Sequence, residues 1–109
     1  MSPKSPSDHL RKLAPGEQRF DILGVTVIVD FDDIDLSRDI LETFHEFEAL
    51  KDTEDKTIDT ARVSLELMGK AYDIVSRAVG EKKRNEMFGV GKRPMGKSVK
   101  ALYALVSPA

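Results

Sequence analysis

The stretch from Thr57 to Val79 constrains the fold most. Ile58, Ala61, Leu65, Met68, Tyr72, Val75 and Val79 recur at alternating steps of three and four residues, the spacing that lines one face of a helix as a heptad-like seam. A second seam, Leu67, Ala71, Ile74 and Ala78, lies beside it. A helix that is apolar on two faces needs cover on both. One seam is enough to cover a hairpin and a preceding helix. The other needs a further partner, either the C-terminal helices or a different chain. We read Leu67, Ala71, Ile74 and Ala78 as the partner-binding surface, for contact with another protein's helix or with self. Phe20, Ile22, Val27, Val29, Phe44, Leu65, Met68 and Tyr72 are the expected core.

The residues before this helix supply the hairpin. Phe20 and Ile22 alternate, then Val25, Val27, Val29 and Phe31 alternate, with Leu23-Gly24 between the two runs. Period-two patterning around a glycine predicts a β-hairpin with one buried face. A lone hairpin is marginal in water, so this one must pack on a helix or extend its sheet with strands of another subunit. Asp32, Asp33, Asp35 and Ser37 then offer capping groups for a first helix over about Leu36–Leu50, whose stripe is Leu36, Ile40, Phe44 and Phe47. Lys51 to Lys56 reads as a polar break. Gly80 stops the long helix, Glu81–Phe88 reads as a short basic helix, Gly89–Gly96 as a loop, and Ser98–Val106 as a last helix. Residues 1–18 carry three of the five prolines and read as a flexible arm, with a helical turn around Leu10 and Leu13. The expected fold is α+β: an N-terminal β-hairpin packed on a small bundle of three to four helices, in a single domain over 19–109.

At 109 residues there is room for one domain. With 40% hydrophobic and 33% charged residues, no window approaches the roughly 18 apolar residues of a membrane span, and Met1 to Pro6 does not read as a secretory signal. The absence of cysteine excludes disulfides and thiol catalysis, and fits a cytoplasmic protein. His9 and His45 are isolated, so neither a histidine metal site nor any other metal is expected. Charge is uneven. Residues 20–59 carry a net −10 and residues 60–109 a net +6, within an overall −2. Such halves steer partners, dock copies head to tail, or neutralise each other within the fold.

Gly91-Lys92-Arg93-Pro94-Met95-Gly96-Lys97-Ser98 matches the phosphate-cradling pattern G-x-x-x-x-G-K-[ST] in full. A working cradle leaves the end of a parallel strand, but the residues before it, Glu81 to Phe88, are polar and helix-like. Few residues follow Ser98, and Pro94 removes one amide donor. The loop is therefore expected to be a turn, with Ser98 or a neighbour capping the last helix, and to bind no cofactor. Asp30, Asp32, Asp33 and Asp35 fall short of a calcium loop, with Ile34 at the fifth position, Asp35 in place of glycine at the sixth and Leu41 at the twelfth. No nucleophile has a recognisable base beside it, so no catalytic residues are expected and the chain does not read as an enzyme. Lys82, Lys83, Arg84, Lys92, Arg93, Lys97 and Lys100 keep open an alternative, a small nucleic-acid-binding regulator using the basic C-terminal third.

The order of these elements carries a resemblance. A hairpin ends in Val29-Asp30-Phe31-Asp32-Asp33, two helices follow, and Ala78-Val79-Gly80-Glu81 and Glu86-Met87-Phe88-Gly89 precede a terminal helix. Over residues 19–106 this layout resembles the small tail assembly chaperones of siphophages infecting Gram-positive bacteria. The resemblance implies a non-virion protein of the host cytoplasm that oligomerises and coats the tape measure protein. It would keep long apolar helices soluble while tail tube protein is recruited, with no membrane partner.

Overall fold

The computed structural model describes residues 12–51 and 58–106. The arm up to Arg11 and the polar break over 52–57 lie outside the described residues.

Two strands, β1 (Glu17–Ile22) and β2 (Val25–Asp30), pair antiparallel, with Phe20 opposite Val27 and Ile22 opposite Val25. β1 starts two residues inside the expected arm. Leu23 and Gly24 close the hairpin with φ of 52° and 79°. Two positive φ values give the tight turn whose twist matches that of the strands. Phe20, Ile22, Val27 and Val29 form the buried face of the hairpin, as their alternation requires.

Four helices follow: α1 (Ile34–Lys51), α2 (Ile58–Val79), α3 (Glu81–Phe88) and α4 (Met95–Val106). The molecule is thus α+β, a hairpin packed on a helical bundle. Asp33 caps α1, its Oδ1 accepting the Leu36 N–H at 3.1 Å, and the Ser37 hydroxyl donates to the Phe31 carbonyl at 2.9 Å. These two bonds fix the angle at which the chain leaves the sheet. Gly80 (φ 89°) and Gly89 (φ 95°) bracket α3, which is why its ends are legible in the residue pattern. α4 begins three residues before the expected Ser98. The Pro94 carbonyl opens it, accepting the Ser98 N–H at 3.0 Å and the Ser98 hydroxyl at 2.8 Å. Ser98 is buried inside the helix and does not cap it.

α1 and α2 run side by side in opposite directions. Asp39 meets Arg77 at 2.8 Å and Glu46 meets Lys70 at 3.4 Å, and on each helix the two members are two turns apart. Acidic α1 and basic residues of α2 thus neutralise each other here within the fold. Arg77 holds the Asp39 carboxyl below its usual value, chiefly through their hydrogen bond. α4 lies across both helices. Tyr103 packs edge-on to Phe44, with ring centroids 5.1 Å apart, donates to Glu48 at 3.2 Å, and lies under the Lys51 ammonium at 4.5 Å. The hydrogen bond to Tyr103 raises the Lys51 pKa, with Glu48 adding to it.

The core corrects three expectations. Phe44 is half-buried against Tyr103, and Met68 is half-buried at the core's margin. Leu65 is not core at all, with 61% of its surface exposed. Thr43 is fully buried on α1 and its hydroxyl has no hydrogen-bond partner.

Candidate functional site

The seam read as partner-binding faces inward. Ala71 is fully buried, Leu67 and Ile74 are buried, and Ala78 packs against the same cluster. In this chain the cover comes from α1 and α4, both of which pack on α2. Of the two covers left open by the apolar pattern, the chain's own C-terminal helix takes this face. Ala71 and Ile74 are therefore closed to a partner, Ala78 is half-buried, and only an edge of Leu67 reaches a groove on the α1 side.

The uncovered face belongs to the other seam, and only to its first half. Tyr72 and Val75 are buried, Tyr72 beneath Phe88 with ring centroids 5.5 Å apart and beneath the Arg93 guanidinium at 4.6 Å. Toward the N-terminus cover ends: Ile58 is 80% exposed, Leu65 61%, and Ala61 is exposed between them. Helix length explains the change. α2 has 22 residues and α4 has 12, which at 1.5 Å per residue are roughly 33 and 18 Å. Arg93, just before α4, lies against Tyr72 and Asp73 and 3.6 Å from the position a Gly69 side chain would occupy. α4 thus meets α2 from its middle onward. The first half of α2 has α1 beside it on one flank, and its outer seam is left in water.

On the side of α2 turned toward α1 lies a groove of about 290 Å³, lined by Glu46, Ala49, Leu50, Val63 and Leu67. Val63 is itself exposed. Each residue turns the helix by about 100°, so Val63 and Leu67 lie on the opposite side of α2 from Ile58, Ala61 and Leu65, and Asp59, Arg62 and Glu66 stand between the two apolar features. Burying an exposed leucine or isoleucine contributes roughly 1.5–3 kcal/mol, which is the gain left unrealised at Ile58 and Leu65. Spacing alone did reveal this seam; what it missed was which part of it stays open.

The phosphate-cradle match is not seated as one. The chain enters the loop from α3 and not from a strand, and the Ser98 hydroxyl is buried and committed to the Pro94 carbonyl. Arg93 holds the loop down on α2 through Asp73 at 3.4 Å. The basic stretch is partly neutralised too, since Lys83 pairs with Glu86 and Arg84 with Glu81, each at 3.8 Å. Lys82, Lys92, Lys97 and Lys100 are exposed on α3, the loop and α4. Asp32 and Asp33 are used locally, Asp33 as a cap and Asp32 through its N–H to the Asp30 carboxylate at 2.9 Å. Among the described residues no group of acidic or histidine side chains could hold a metal ion, and no helix is long and apolar enough to cross a membrane.

The class these features define is a hairpin-and-bundle domain with an uncovered helical face. Comparison with profiles of known protein families, with curated proteins and with solved structures found no match for this chain.

Proposed function

We propose that this chain is a tail assembly chaperone, which oligomerises and binds the tape measure protein while the tail is built. The observation that carries the reading is the open half-seam of α2, Ile58, Ala61 and Leu65. An exposed apolar stripe at helical spacing is a surface on which an amphipathic helix can pack. A tape measure protein, read as a long chain of apolar helical segments, offers many such helices in series. The layout of residues 19–106, with the acidic lead into α1 and the Gly80-Glu81 and Phe88-Gly89 passages, supports the same reading.

The test is co-production with helical segments of a siphophage tape measure protein. Wild-type chain should keep those segments in the soluble fraction and co-purify with them. Leu65→Glu and Ile58→Glu should lose both effects while retaining the wild-type circular dichroism spectrum. Equal solubilisation by these variants, or none by the wild type, would rule the proposal out.

A further inference from the structure

The open half-seam of α2 carries opposite charge at its two ends. Toward the middle of the helix it stops at a cationic loop. Gly69 follows Leu65 by one turn and Tyr72 by two. The Arg93 guanidinium lies 4.6 Å over the Tyr72 ring and 3.6 Å from the position a Gly69 side chain would take. Arg93 pairs with Asp73 at 3.4 Å, but more than half of each side chain stays in water. Lys92 beside it is exposed, runs past Gly89 and makes no ion pair among the described residues. With Asp73 offsetting one of the two cations, this end keeps a surplus positive charge. At the other end, Asp59 is the charged residue in the first turn of α2, and Glu54 and Asp55 precede it in the sequence. On the flank between, Arg62 stands three residues from Asp59 and four from Glu66, the spacing at which charges on one helix offset each other.

We propose, resting on the reading of the half-seam as a helix-binding face, that the bound helix runs parallel to α2 and presents an acidic last turn to Lys92 and Arg93. The C-terminus of a helix carries roughly half a negative charge on carbonyls without an intrahelical partner, and the N-terminus carries the opposite on its free N–H groups. Parallel docking sets those carbonyls, and the acids of the last turn, against the cations near Gly69. It also sets the first-turn N–H groups beside Asp59. Antiparallel docking sets like charge against like at both ends. From Ile58 to Gly69 the distance is roughly 16 Å, about three turns of helix, so a short segment reaches from one end to the other. The apolar residues of the seam hold such a segment in either direction; the end charges select between them.

A short amphipathic peptide, apolar at steps of three and four with glutamates in its last turn, tests this on the isotope-labelled full chain. With a nitroxide on its last residue, the NMR signals of the Lys92 and Arg93 amides should broaden. With the nitroxide on its first residue, those of Ile58 and Asp59 should. Lys92→Glu, an exposed position, should weaken this peptide about threefold or more. The same variant should bind more tightly than the wild type a peptide with lysines in place of the glutamates; a folding defect would weaken both. The opposite pattern of broadening, equal broadening from both labels, or equal loss of both peptides would overturn the orientation and leave helix binding standing. A peptide that perturbs none of Ile58, Ala61 and Leu65 would overturn the helix-binding reading and the orientation with it.

Discussion

The first and second halves of α2 carry the same apolar spacing but lie in different surroundings. From Gly69 onward both apolar seams are covered: Ala71 and Val75 are fully buried, Tyr72 lies under Phe88 and Arg93, and α4 packs on the helix. Before Gly69 it has α1 on one flank and water on the outer face, where Ile58 and Leu65 stand exposed. Identical periodicity thus yields core in one half and an open surface in the other. Periodicity says which residues share a face. The lengths and starting points of the neighbouring helices decide whether that face is covered.

The sharpest way to break this contrast is to place a charge in each half. Ala71→Asp puts an unpaired carboxylate where there is no space and no water, and should cost more than about 3 kcal/mol, enough to unfold much of the population. Leu65→Asp, in water already, should stay within roughly 0.5–1 kcal/mol of wild type by urea denaturation. Similar losses from both would erase the distinction. Next in size is truncation. Leu102→Ala, fully buried on α4, should lose about 2–5 kcal/mol through lost burial and a cavity. Ile58→Ala should change the urea midpoint by no more than a surface substitution does.

Thr43 sharpens the description of the enclosed half. Its buried hydroxyl has no partner, so Thr43→Val, equal in shape, should be neutral or raise stability by up to about 1 kcal/mol. A loss above that range would reveal a hydrogen bond to the hydroxyl. The smallest effect concerns the rim. The Arg77 hydrogen bond lowers the Asp39 pKa, so this contribution to stability is present above the ordinary aspartate range and fades as pH falls through the lowered value. In Arg77→Gln, the Asp39 carboxyl carbon followed by NMR should titrate at a higher pH than in the wild type. An unchanged midpoint would mean that the two side chains do not pair in solution.

Much of the architecture was legible in the residue pattern. Alternation from Phe20 to Phe31 placed both strands and their buried face, and Gly80 and Gly89 marked the ends of α3. The start of α4 was not legible, because Pro94 opens the helix with its carbonyl while Ser98 hides its hydroxyl inside. The two seams of α2 were both visible, yet their surroundings were exchanged in part: Leu67, Ala71 and Ile74 lie in the core, and Leu65 lies outside it although Tyr72 and Val75 of its own seam are buried. That exchange turns on where α4 starts along α2, which depends on how the Arg93 loop folds back, a tertiary fact that local spacing does not carry.

The most direct test of the open half-seam is an NMR titration of the isotope-labelled chain with a synthetic helical segment of a tape measure protein. The account predicts amide shifts concentrated at Ile58, Ala61 and Leu65, with Ala71 and Val75 unmoved. Shifts centred on Lys92, Lys97 and Lys100, or none at all, would contradict it.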